Sequence, residues 1–112
     1  MTLRGITLAL SVAAIGLGIV HLALALLAFG EWSLDALWFV GAGLAIVAGA
    51  AINLVAPTGR GRFVALTVDA ALTLWFAAAW SVLPGPQVVI GGLLFAGLAV
   101  CAVLDREKPD LA

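Results

Sequence analysis

Four stretches of this chain run almost without interruption in apolar residues, approximately Leu3–Ala28, Leu34–Ala56, Phe63–Leu83 and Gln87–Leu104. Helical rise makes even the last about 27 Å long, enough to cross a hydrocarbon core of about 30 Å with little tilt. The polar positions punctuate these runs. Ser33 is placed to cap the second helix and Asp35 to favour its positive N-terminal end, while Pro57 stops it. Pro84-Gly85-Pro86 predicts a tight turn with a proline at the first position of the fourth helix. All three connections are short, so consecutive helices should be antiparallel neighbours. The predicted fold is an all-α integral membrane protein, an up-down-up-down bundle of four transmembrane helices. Residues 1–112 form one domain, with a solvated tail over 105–112.

Composition strengthens this reading. The chain is 65% hydrophobic and 10% charged, where a soluble domain is about half apolar and a quarter charged. Too much apolar surface is present for a soluble fold to hide, so lipid is the expected solvent. All five basic residues lie on one side of the runs. Arg4 precedes the first, Arg60 and Arg62 separate the second from the third, and Arg106 and Lys108 follow the fourth. This asymmetry predicts a single orientation with both termini cytoplasmic. Trp32, Trp38 and Trp80 fall near the opposite boundary, as an aromatic belt would, with Trp75 deeper. The first run is longer than a signal-peptide core and reads as an uncleaved span. Cys101 is the only cysteine, which excludes an intrachain disulfide and reads as a small buried hydrophobe. A net charge of −1 argues against nucleic acid as a partner.

The chain also resembles itself. A shift of half its length places Thr2, Arg4 and Gly5 on Thr58, Arg60 and Gly61. In the same register Ala9, Leu10, Val12 and Ala14 meet Ala65, Leu66, Val68 and Ala70, and Leu37, Phe39 and Gly41 meet Leu93, Phe95 and Gly97. Residues 1–56 and 57–112 are therefore a candidate tandem repeat of a two-helix hairpin. Both copies would start on the same side, related by a pseudo-two-fold axis along the membrane normal.

Small residues recur on three spans: Ala14, Gly18 and Ala25 with His21 on the first, Gly41, Ala45 and Gly49 leading to Asn53 on the second, and Gly92 and Ala96 on the fourth. Such faces let helix backbones approach closely, which is how membrane helices pack without a hydrophobic drive between them.

Only two ionisable side chains lie within the spans, His21 and Asp69. An ionisable group inside a bilayer is costly and usually faces other protein. Helical rise puts His21 about 24 Å and Asp69 about 10 Å above the basic side, too far apart to touch within one chain. Asn53, about 5 Å above that side, is the nearer partner for Asp69, with Thr73 one turn along the same helix. As a functional group, Asp69 would bind a proton or a cation with Asn53 and Thr73. As a structural group it would be held by those same residues. His21 should point into the bundle, where Trp38, Phe39, Trp75 and Phe76 would form an aromatic ligand pocket around it. One histidine cannot supply the four ligands of a structural zinc site, so no metal site is expected. Haem would need an unusual second ligand or a homodimer. An extracellular cation site of Glu31, Asp35 and His21 is only weakly signalled.

No Ser-His-Asp set, phosphate loop or histidine-rich helix is present, and Gly41-Ala42-Gly43 has no strand before it to make a dinucleotide motif. The length and four spans resemble the small multidrug transporters, which carry an embedded glutamate in their first span. Here that span has no acidic residue and the charge bias is complete, so no residue is carried across. The layout is also similar to DoxX-like and other bacterial four-span families, without a shared motif. The leading expectation is a non-enzymatic protein of the bacterial cytoplasmic (inner) membrane. It would pack against itself or a larger membrane complex, or hold a hydrophobic ligand near His21. No cofactor is expected, with quinone and haem as the weaker readings. The alternatives are a proton- or cation-coupled transporter using Asp69, and a haem- or metal-binding protein using His21.

Overall fold

The computed structural model describes residues 2–55 and 59–106 and is all-helical over them: α1 (Leu3–Ala28), α2 (Leu34–Val55), α3 (Gly59–Val82) and α4 (Pro86–Arg106). Each helix is long and apolar enough to cross a membrane. The starts have local chemical causes. Thr2 Oγ1 accepts from the Gly5 amide at 3.0 Å, and Ser33 Oγ accepts from the Ala36 amide at 3.2 Å. Each hydroxyl satisfies one of the orphan donors of a first turn. Gly59 opens α3 at a φ of +57°, a backbone conformation that costs glycine little. Pro86 opens α4, where its missing N–H costs nothing. The Pro57 stop and the tail beyond Arg106 lie outside the described residues. Both later helices outrun their apolar stretches, α3 starting before Phe63 and α4 continuing past Leu104. Hydropathy marks where lipid begins, whereas the helix continues into the polar boundary.

The α1 helix lies along α2, and α3 along α4, with thinner α1–α4 and α2–α3 seams closing the ring. Both hairpins are antiparallel, and each is tied at the same end. Arg4 donates to the carbonyl oxygens of Asn53 and Leu54 at the end of α2, at 3.3 and 2.9 Å. Arg62 donates to the Asp105 carbonyl at 3.1 Å and pairs with its carboxylate at 3.0 Å. A guanidinium at a helix C-terminus satisfies orphan carbonyls and meets the negative end of the helix dipole. Arg60, which aligns with Arg4 in the repeat register, is exposed, and Arg62 makes the tie instead. This is the basic end of the bundle. The opposite end is the tryptophan end, where Trp32, Trp38 and Trp80 are all at least half exposed.

Ala14, Ile46, Ala50, Phe76, Phe95 and Leu98 form the greater part of the core. Many large apolar side chains face outward, including Leu26 and Leu27, both 84% exposed, as expected where lipid is the surrounding phase. Close approach depends on a few glycines. A Cβ at Gly18 would lie 2.6 Å from Val47 and 3.2 Å from the Gly43 carbonyl, and one at Gly43 would lie 2.8 Å from Leu22. One at Gly49 would lie 2.6 Å from Leu72, and one at Gly91 would run into the Phe76 ring.

The small stripe on α2 does not stay on one face. Gly49 and Asn53 are buried, while Gly41 and Ala45 are exposed, and nothing lies within 4 Å of where a Gly41 Cβ would be. Steps of four residues advance about 400° around a helix of 3.6 residues per turn, so the row drifts by about 40° each time. Over three steps it leaves the interior. On α1, Ala14 and Gly18 stay inside. On α4, Gly92 and Ala96 border a shallow outward groove beside Trp80.

Candidate functional site

Two polar features lie inside the bundle, at different depths and with no partner in common. Toward the tryptophan end the hairpins part and leave a crevice of about 270 Å³. Leu17, Val20 and Leu24 of α1, Ile46 of α2 and Val88 of α4 give it aliphatic walls. His21, Phe39, Trp75 and Phe76 line it as well, so three of the four residues expected around His21 meet it there. Trp38 does not. It is 70% exposed and borders a separate groove on the outside of α2 and α3, with Gly41, Ala45 and Trp75. Adjacent helical positions point about 100° apart, so Trp38 cannot share the direction of Phe39. Gln87, at the mouth of the crevice, is a lining residue that the sequence pattern did not single out.

His21 is held in place by one residue. Its ring stacks on Phe39 with centroids 3.8 Å apart and planes inclined by 12°, and its Nε2 lies 2.9 Å from the Phe39 carbonyl oxygen. A carbonyl only accepts, so Nε2 carries the hydrogen and donates. In the neutral ring Nδ1 is then an acceptor, and no described residue donates to it. A metal or haem iron would have to bind through Nδ1. Among the described residues no group of three or more His, Cys, Asp or Glu could hold a metal ion, and Glu31 and Asp35 are exposed. Phe76 joins the crevice to the core, since it lines the one and belongs to the other.

Toward the basic end lies the second feature. Asp69 is completely buried, and its Oδ1 accepts from Asn53 Nδ2 at 2.6 Å. The same Nδ2 donates to the Gly49 carbonyl at 3.0 Å. Both partners are acceptors, which fixes the orientation of the amide. Thr73, expected at the carboxylate, turns instead to the Asp69 backbone carbonyl at 2.7 Å. A threonine hydroxyl in an apolar helix meets its own need four residues back, which removes it from the site. Asp69 Oδ2 is buried without a hydrogen-bond partner, and so is the hydroxyl of Ser11 on α1. Ser11 was not among the residues drawn from the sequence. It shares the inward face of Ala14 and Gly18, and a hydroxyl at that spacing is the signal that would have found it.

Below Asn53 is a small polar crevice of about 30 Å³, bordered by Arg4, Thr7, Asn53, Arg62, Cys101 and Asp105, with Ala65 and Ala102 completing its wall. It opens on the basic end, where the two arginine ties are made.

No protein-family model matches this sequence, and neither a curated protein nor a solved structure matches it. Chemistry alone must therefore carry the functional reading.

Proposed function

We propose that this is a small non-enzymatic protein of the bacterial cytoplasmic membrane, with both termini in the cytoplasm, that holds an apolar molecule in the crevice beside His21. The observation carrying this reading is the acceptor Nδ1 of His21, unused by any described residue, on a ring that lines an aromatic-walled space apolar but for His21 and Gln87. Ligand sites combine such walls with a few placed polar groups, and the crevice lies just below their usual range of about 300–1,000 Å³. An acceptor at that position selects a hydrogen-bond donor. The favoured ligand class is an apolar ring or chain bearing a hydroxyl, such as a quinol or an isoprenoid alcohol. Its head would meet His21 and its tail would leave between the hairpins toward lipid. The proposal includes packing against a second copy or a larger membrane complex. Gly41 and Ala45 support that part, because small lipid-facing residues are what helix association in membranes uses.

The test is solvent extraction and mass spectrometry of protein purified in mild detergent. Wild type and Trp38→Ala should both carry one species enriched over bulk lipid, since Trp38 lies outside the crevice. Ala79→Phe, which fills the crevice, should lose it. A wild-type protein with no enriched species, or an Ala79→Phe variant that keeps it, contradicts the proposal.

A further inference from the structure

Every polar atom near Asp69 bears on what its free oxygen does. Asp69 Oδ2 and Ser11 Oγ are both fully buried and without partners, on helices that cross the bundle from each other. Helical rise from the starts of α1 and α3 puts them within about one turn of the same depth. Two buried oxygens left without hydrogen bonds are unusual, because the desolvation of each goes uncompensated. The polar crevice ends close by. Asn53 borders it and also holds the carboxylate, and Ala65 in its wall lies one helical turn before Asp69. Only small side chains, Ala65 and Ala102, complete the wall on that side. Its volume of about 30 Å³ exceeds the roughly 10–15 Å³ that a water requires.

We propose that Asp69 is a proton-binding site that exchanges its proton with the basic face of the membrane through this crevice. This goes beyond the lipid-binding reading and rests on different residues. In the neutral form the proton sits on Oδ2, the oxygen without a partner. On release it passes from Oδ2 to water in the crevice, and the carboxylate left behind keeps the Asn53 amide on Oδ1. The charged and titratable groups facing this region are Arg4 from α1, Arg62 from α3, and Cys101 and Asp105 from α4, while α2 contributes only the uncharged Asn53. Asp105 is already engaged with Arg62.

The same geometry disfavours a metal cation as the ligand. Asn53 turns its nitrogen, not its oxygen, to the carboxylate, and the Gly49 carbonyl locks it that way. A hard cation needs about six oxygens, and Oδ2 and Ser11 supply two.

The test is infrared difference spectroscopy of the full chain in lipid nanodiscs, wild type against Asp69→Asn. The expected result is one protonated-carboxyl C=O band at acid pH, absent in the variant, that converts to carboxylate bands as pH rises. Exchanging potassium for sodium should leave that conversion unchanged. Thr7→Leu, which narrows the crevice, should slow deuterium uptake by the band about tenfold. A wild type without the band, a band that persists at alkaline pH, or uptake unaffected by Thr7→Leu overturns the proposal. Sodium dependence overturns it in favour of a cation site. A second readout needs no substitution: dicyclohexylcarbodiimide, which attacks protonated membrane carboxyls, should label wild-type Asp69 faster in acid than in alkali. No labelling, or a rate indifferent to pH, counts against the site.

Discussion

Around Asp69 the four helices pack closely and leave only the narrow polar crevice below Asn53, whereas around His21 they stand apart. At the basic end Asp69, Asn53, Ser11 and Ala50 are buried, Gly49 admits Leu72 and Phe95, and an arginine ties each hairpin. At the tryptophan end His21 is half-buried, Phe39 covers one face of its ring, and the walls of the crevice do not meet. The same apolar composition produces both regions. Glycine placement separates them: Gly49 lets α2 settle against α3 and α4, while Gly41, two turns further along, faces outward and brings no helix closer. Polar groups follow this division. The Asp69 carboxyl meets the Asn53 amide through one oxygen where packing is tight, and the imidazole with a spare acceptor sits beside the wider crevice.

Substitutions that cross this boundary should show the contrast most strongly. Gly49→Leu has no space and should cost about 3 kcal/mol or more, or prevent folding, while Gly41→Leu should cost almost nothing; denaturant titration in mixed micelles compares them. Equal losses would mean that the two ends pack alike. Next in size is Asn53→Leu, which strips Asp69 of its one side-chain partner. The expected loss is about 1–3 kcal/mol, and a double-mutant cycle with Asp69→Leu should recover most of it. His21→Phe keeps an aromatic ring but removes the bond to Phe39. Interhelical hydrogen bonds in membranes average about 0.6 kcal/mol, so stability should fall by about that much while the bound molecule is lost. Smallest is Trp38→Ala, which should stay within about 0.5 kcal/mol of wild type and retain the ligand.

The elements were legible in the sequence because lipid imposes a demand that is almost purely compositional. The apolar run from Leu3 to Ala28 coincides with α1, and the Ser33 cap and Pro86 start are local chemistry. Depth was legible too. Helical rise alone put Asn53 within reach of Asp69 and His21 out of reach, and the amide meets the carboxylate at 2.6 Å. Facing was harder. The Gly41-Ala45-Gly49-Asn53 row looks continuous in one dimension and winds out of the interior in three. Trp38 and Phe39 are neighbours in sequence but line different surfaces. Thr73 had two acceptors in range and took its own backbone. The crevice was not legible, since its width depends on how far the hairpins diverge and no local pattern records that. Arg62 makes the tie that aligning the two halves would give to Arg60, which shows the same limit.

His21 is the one histidine of this sequence, so uniform ¹⁵N-histidine labelling gives a single-site spectrum of the crevice. Solid-state NMR of the protein in its native lipid extract should show Nε2 protonated and Nδ1 bare, with the Nδ1 resonance displaced toward the hydrogen-bonded position. Stripping bound lipid, or substituting Ala79→Phe, should return that resonance to the free-acceptor position and leave Nε2 unmoved. An Nδ1 that carries the proton, or a spectrum unchanged by stripping, would contradict a ligand held at His21.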